Sequence, residues 1–319
     1  MVGAGSVARR HVRVLTGLGG VRVVAVADPV TELAAALADE CGARPYPSAE
    51  QALDAGDVDA VYVCVPPFAH GDPERAALAR RLPLFVEKPV AVDLATAEQI
   101  GALVAESGVV TGTGYHWRCL DTVTEAKRLL AQSPPLLANG YWLDKRPPVG
   151  WWPHREMSGG QVVEQLTHVL DTARVLLGEP TEVSAAGVRD PDSDGDVDDA
   201  TAALVRFTSG AVATFSATSL LPRLYRTALH TVSRGLALEL AETGLVTDDG
   251  DTRREFTPGE DPRVTVDREF IQAVRGERQV TRTPYHEAVS SHRLACAIAE
   301  SARQGQPVRL AGQPAGRPG

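Results

Sequence analysis

The sequence predicts two domains, an α/β domain built on a parallel sheet and an α+β domain with a large, open, mostly antiparallel sheet. Three observations carry this. Up to about residue 114, short apolar runs alternate with amphipathic segments, as in a parallel sheet covered on both faces. A glycine-rich turn opens that half. Beyond residue 180, strand-like runs follow one another without helices between them. A length of 319 residues fits two domains of ordinary size.

The first turn reads Gly3-Ala4-Gly5-Ser6-Val7-Ala8, a G-x-G-x-x-A pattern. Glycine suits such a turn because a backbone without Cβ atoms bends tightly and approaches a pyrophosphate closely. The N–H groups of the next helix then point at the anion. Gly3, Gly5, Ser6 and Val7 are therefore candidate cofactor contacts. A second strand is expected over 21–26. Asp28 follows it, 20 positions after Ala8, where a carboxylate accepts hydrogen bonds from the adenosine ribose hydroxyls. A carboxylate there disfavours a 2′-phosphate, so NAD is expected over NADP. Asp28-Pro29 also reads as a plain strand end and helix cap. Together these features make the first domain Rossmann-type. One element is short: only Met1 and Val2 precede Gly3, although the first strand of such a sheet is central. That implies a recorded start downstream of the natural one, or a trimmed chain.

The alternation continues with a helix over 30–38, a strand over 60–65, a helix over 72–81 and a strand over 83–86. Asp93 is placed to cap a helix that runs to about 106, and a strand over 109–112 closes the series. Val61-Tyr62-Val63-Cys64-Val65-Pro66-Pro67 with His70, then Glu87-Lys88-Pro89 at the next strand end, is a specific combination. It resembles the glucose–fructose oxidoreductase, inositol dehydrogenase and rhizopine-catabolism (Gfo/Idh/MocA) family, and the resemblance covers nearly the whole chain. It implies that Pro66, Pro67 and His70 line the nicotinamide side of the cofactor site. It also implies that Glu87 and Lys88 lie by the nicotinamide ribose and that Lys88 reaches the substrate hydroxyl. A lysine at the carboxyl end of a parallel strand stands where such sheets bind ligands, and it can stabilise a developing alkoxide.

In the second half a helix is expected over 121–131. Aromatic side chains then cluster among prolines: Tyr141, Trp142, Trp151 and Trp152. They suit the wall of a sugar pocket and a subunit contact equally. After Gly159 and Gly160, an amphipathic helix places Gln161, Glu164, His168 and Asp171 on one face. The family pattern here is G-G-G-x-x-x-D-x-x-x-H. His168 matches its histidine, whereas Glu164 stands in place of its aspartate and Ser158 in place of its first glycine. The resemblance thus implies His168 as the base for the hydroxyl proton, Glu164 as its partner and Lys88 at the same oxygen. Histidine suits the task because it titrates near neutrality. Arg118, Lys145, Trp152, His154 and Arg155 are substrate-pocket candidates by the same resemblance.

Strands are expected over 181–188, 200–207, 211–221, 227–233 and 237–240, with Ser209-Gly210 as a hairpin turn. Residues 189–199 carry six aspartates without calcium-loop spacing, so no metal is assigned. Helices over 264–275 and 285–304 end the fold. The expected boundaries are 1–117 for the dinucleotide-binding domain, 118–312 for the substrate and oligomerisation domain, and 313–319 for a disordered tail.

A formal net charge of −9 argues against nucleic acid as a partner. No apolar run is long enough for a membrane helix, and no signal peptide is evident. Cys41, Cys64, Cys119 and Cys296 are widely spaced, as reduced cytoplasmic thiols would be. The expected function is an NAD(P)-dependent oxidoreductase acting on a secondary alcohol or ketone of a sugar, cyclitol or polyol, as a homodimer or homotetramer. The alternatives are an enzyme that recycles NAD with no net oxidation, and a non-catalytic NAD-sensing regulator on the same fold.

Overall fold

The structure is a computed structural model that describes residues 1–310. The expected disordered tail, 313–319, lies outside these residues. The described residues divide into two compact units, Met1–Cys119 with Glu260–Ser290, and Leu120–Gly259 with the described residues from Ser291.

The first unit opens with helix α1 (Ser6–Gly17), then β1 (Ala25–Ala27), α2 (Thr31–Cys41), β2 (Arg44–Tyr46), α3 (Ala49–Asp54) and β3 (Val61–Val63). It continues with α4 (Asp72–Ala79), β4 (Leu84–Val86), α5 (Leu94–Ser107) and β5 (Thr111–Thr113). All strand pairs here are parallel: β1 with β2, β3 with β4, and β4 with β5. Val2 joins the two groups, bridged in parallel to Ala27 on one side and Val63 on the other. Val2 therefore holds the central position of the sheet, through the bonds Val2 N to Tyr62 O and Gly3 N to Ala27 O, both 2.8 Å.

Alternation along the strands covers both sheet faces. Val61, Val63, Leu84 and Val86 pack with Ala77, Leu78, Ala97 and Ile100 on one side. Tyr62 and Phe85 pack with Ala8, Val12, Leu15 and Phe270 on the other. The sequence pattern predicts neither strand β2 nor helix α3. Pro45 lies in β2, and proline demotes a run to an edge strand; β2 does sit at the edge, paired only through β1.

The second unit holds α6 (Asp121–Gln132), β6 (Leu137–Leu143), a four-residue α7 (Arg155–Ser158), one π-helical turn (Val162–Leu166) and α8 (Thr167–Leu177). Strands β7 (Pro180–Val188), β8 (Ala200–Phe207), β9 (Val212–Thr218), β10 (Arg226–Ser233), β11 (Leu236–Ala241), β12 (Gly244–Asp248) and β13 (Arg253–Phe256) follow. With β14 (Val308–Arg309) they form a nine-stranded sheet in the order β13-β12-β11-β10-β6-β9-β8-β7-β14. Only β6 with β9 is parallel, so the open, mostly antiparallel sheet is as expected. Helix α8 covers β6 and β10, and α6 covers β11 and β12.

The sequence marks Tyr141 and Trp142 only as part of an aromatic cluster, with no strand expected there. The structure makes 137–143 a central strand. A Cβ on Gly140 would lie 2.6 Å from the Phe215 ring and 2.7 Å from Val169, so close packing of α8 and β9 requires glycine there.

The chain then forms α9 (Pro262–Val274) and α10 (Tyr285–Gln304). The expected boundary gave all of 118–312 to the second domain. The structure corrects this: Glu260–Ser290, with α9, belongs to the first unit. Phe270 of α9 meets Tyr62 at 5.3 Å and Phe85 at 5.5 Å between ring centroids. Contacts between residues so distant in sequence leave no mark on local pattern. Among the described residues, no helix is long and apolar enough to cross a membrane.

Candidate active site

The first-unit site is built on the glycine turn. Gly3 has φ +92°, and a Cβ there would stand 2.2 Å from the Cys64 carbonyl oxygen. Gly5 is the N-cap residue of α1, with φ −72° and no side-chain cap, and a Cβ on it would meet nothing within 4 Å. Packing therefore demands glycine at position 3, whereas at position 5 it keeps the approach to the helix N-terminus open. Ser6 and Val7 are exposed beside it. This is the cradle that a pyrophosphate needs, so the residues present fit a dinucleotide.

Asp28 lies one residue beyond β1. Its Oδ2 accepts a hydrogen bond from Ala4 N at 2.9 Å and its Oδ1 one from Val30 N at 2.8 Å. The strand-end reading of Asp28 is thus part of its role: it latches the glycine turn to β1. A carboxylate offers about four acceptor sites, so two remain for ribose hydroxyls.

Pro67 begins a short 3₁₀ turn after β3, with Pro66 half-buried before it. His70 is buried, and its Nδ1 lies 2.6 Å from Glu74 Oε1; Glu74 Oε2 accepts from Gly71 N at 2.6 Å. His70 and Glu74 thereby tie the Pro-Pro segment to the start of α4.

The Glu87-Lys88-Pro89 turn follows β4, with a cis Lys88–Pro89 peptide. Lys88 is half-buried and Glu87 is 5% exposed. Glu87 Oε2 accepts from Lys88 N at 2.8 Å, and Oε1 lies 3.0 Å from Arg10 Nη2 and 2.9 Å from His11 Nε2. Burial pushes the Glu87 carboxyl up, but His11, Arg10 and Lys88 outweigh it and hold it at about 2. Glu87 is thus an ionised strut under the lysine. Sequence reasoning did not single out Arg10, His11 or Asp267. One signal was legible: His11 shares the face of Ala8, Val12 and Leu15, a polar residue inside the apolar stripe of α1.

In the second unit, His168 is 4% exposed in the first turn of α8, and its ring stacks on Trp142 at 5.8 Å and 25°. Glu164 lies in the π-helical turn and is half-buried. That turn changes the expected geometry. A π turn bonds i to i+5, so Gln161, Glu164, His168 and Asp171 do not keep the single α-helical stripe that their spacing predicts. Gln161 instead donates to Gln165 Oε1 at 2.9 Å and Thr218 O at 2.6 Å. Asp171 Oδ1 accepts from Ser291 Oγ at 2.5 Å.

The pocket candidates scatter in environment. Arg118 belongs to the first unit and donates to Glu287 at 3.1 Å. Trp152 is fully buried, under the Arg146 guanidinium at 5.8 Å. Arg155 bonds Asp196 and Asp198, which anchors the aspartate-rich loop. Lys145 and His154 are exposed.

Comparison with known proteins gives this geometry a context. Residues 1–115 match the model of an oxidoreductase family with an NAD-binding Rossmann fold. Residues 134–233 match the Gfo/Idh/MocA C-terminal domain. A 1,5-anhydro-D-fructose reductase of Ensifer adhaerens is 31% identical over 67% of this chain and 67% of its own. The chain belongs to the Gfo/Idh/MocA oxidoreductase family. The scyllo-inositol 2-dehydrogenase (NAD(+)) of Bacillus subtilis is 31% identical over 66% of this chain and 64% of its own length, and thus matches over less than two thirds of that relative. A solved structure of levoglucosan dehydrogenase with NADH and levoglucosan shares the family fold, with a TM-score of 0.88 at 19% identity over 98% of both chains.

Proposed function

We propose that this protein oxidises, or in reverse reduces, a secondary alcohol of a sugar, cyclitol or related polyol with NAD. The observation that carries the reading is the first turn, where Asp28 latches Ala4 and the N-terminus of α1 stays open at Gly5. The named family relatives, a sugar reductase and an inositol dehydrogenase, support the substrate class. When bound, the nicotinamide supplies the hydride exchange. Gly3, Gly5, Ser6, Val7 and Asp28 hold the dinucleotide, and Pro66, Pro67 and His70 shape its nicotinamide end. Lys88, steadied by Glu87, places positive charge at the reacting oxygen. His168, oriented by Trp142, takes the hydroxyl proton, and Glu164 supports it as the carboxylate partner. Lys145 and His154 are the exposed candidates for substrate contact.

The test is a titration with NADH and NADPH followed by nicotinamide fluorescence, then an activity screen on inositols and sugars. We expect NADH to bind at least ~10-fold tighter than NADPH, since Asp28 repels a 2′-phosphate. Equal affinities would remove the NAD preference, and no binding of either would overturn the reading.

The uncovered face of the nine-stranded sheet supports a homodimer or homotetramer. Leu204, Leu137 and Val232 stand exposed there, and an apolar sheet face of this kind marks a contact surface. Light scattering on the purified chain should return a dimer or tetramer mass; a monomer refutes it.

A further inference from the structure

His11 is 1% exposed and faces two carboxylates from distant parts of the chain. Its Nδ1 lies 2.7 and 2.8 Å from the two oxygens of Asp267 on α9, and its Nε2 lies 2.9 Å from Glu87 Oε1. A neutral imidazole has one N–H and serves one acceptor, so two carboxylates call for the doubly protonated ring. Phe85 and Tyr62 enclose it at 5.2 and 5.5 Å between centroids. The charges balance: Asp267 and Glu87 are negative, His11 and Arg10 positive. Such pairing makes their burial tolerable. Burial lowers the His11 pKa, but Asp267 and Glu87 outweigh it and raise it to about 9. Burial also raises Asp267, against the pull of His11. The other titratable groups facing this network are Lys88, Cys64, Tyr62 and Cys119.

Two further features show that the network ends at the catalytic turn. Glu87 Oε2 accepts the backbone N–H of Lys88 at 2.8 Å. Gly114, just past β5, makes the room this carboxylate fills, for a Cβ there would lie 2.1 Å from the same oxygen.

We propose that His11 is a positioning residue for Lys88: held as an imidazolium by Asp267, it fixes the Glu87 carboxylate that orients the lysine-bearing turn. This rests on the reading of Lys88 as the group that acts on the reacting oxygen.

Three variants test it: His11→Gln, which can donate to only one carboxylate, Asp267→Asn, and Lys88→Met as reference. We expect His11→Gln to lower kcat about 10- to 100-fold while NADH affinity stays within about threefold. Asp267→Asn removes the stronger support for the imidazolium, so the alkaline limb of kcat should move to lower pH. A merely structural role would lower Tm in both variants and leave that limb in place.

Nitrogen NMR of the histidine ring reads the protonation without any activity. Both ring nitrogens of His11 should carry protons at pH 7.5 in about nine molecules of ten or more. A neutral His11 ring overturns the proposal. Linkage gives a further sign: His11 is raised from 6.5 to about 9 in the fold. Its stabilisation is complete below pH 6.5 and lost as pH rises through about 9. The Tm gap between the natural protein and His11→Gln should close across that window.

If Lys88→Met keeps turnover, the reading of Lys88 fails and the positioning role fails with it. If Lys88→Met is inactive while His11→Gln and Asp267→Asn keep kcat within about twofold, only the positioning role is overturned.

Discussion

Lys88→Met is expected to cost about 10²- to 10³-fold in turnover, because a preorganised cation at a developing alkoxide contributes that much. NADH affinity should stay within about threefold, since in the proposed site the glycine turn and Asp28 hold the dinucleotide through other contacts. Methionine keeps the length and apolar stem of lysine and removes only the charge, so packing beside Pro89 is retained. His168→Asn should cost about 10²- to 10⁴-fold for the same step, by removing the base. Steady-state rates on the substrate found in the screen, with NADH binding measured in parallel, decide both. Turnover within about threefold of the natural protein in either variant would remove that residue from the mechanism.

The second large effect is on folding and cofactor binding together. Gly3→Ala should lower stability by about 2–5 kcal/mol, summing the left-handed backbone cost and the clash. Gly3 has φ +92°, and the new methyl would meet the Cys64 carbonyl oxygen at 2.2 Å. That oxygen belongs to backbone, in the residue whose N–H bonds Val2 O at 2.8 Å, so it yields only if Val2 separates from β3. Tm should fall by roughly 10 °C, and NADH affinity by more than about 10-fold as Ala4 loses its register on Asp28. Gly5→Ala is the contrast. Nothing lies within 4 Å of its Cβ and its φ is −72°. Its Tm should stay within about 2 °C of the natural protein while NADH affinity drops. Equal NADH affinity in Gly5→Ala and the natural protein would show that the pyrophosphate does not approach that residue.

Much of this site was legible because its chemistry is local. The glycine spacing, Asp28 and the E-K-P turn each depend on a few residues in sequence, and backbone sterics restrict what those residues can do. The amphipathic pattern around His168 was also legible, but the π-helical turn before it was not. Hydrophobic period averages over several turns, and one extra residue in a hydrogen-bonding ring falls below what it can resolve. Strand β6 escaped for a related reason: glycine weakens a strand locally, and Gly140 is needed only because Phe215 and Val169 approach it closely in the fold.

By itself the sequence determined the layered α/β first domain, the large antiparallel sheet of the second, the dinucleotide turn and the family. These follow from periodicity and short motifs, which act between near neighbours. Tertiary structure decided what stands behind Lys88. Arg10 and His11 come from α1, Glu87 from the end of β4 and Asp267 from α9, so their meeting joins positions as far apart as 11 and 267. No residue in that set announces the others. A buried carboxylate is stable only beside opposite charge, and which charge is beside it is a property of packing and not of sequence order.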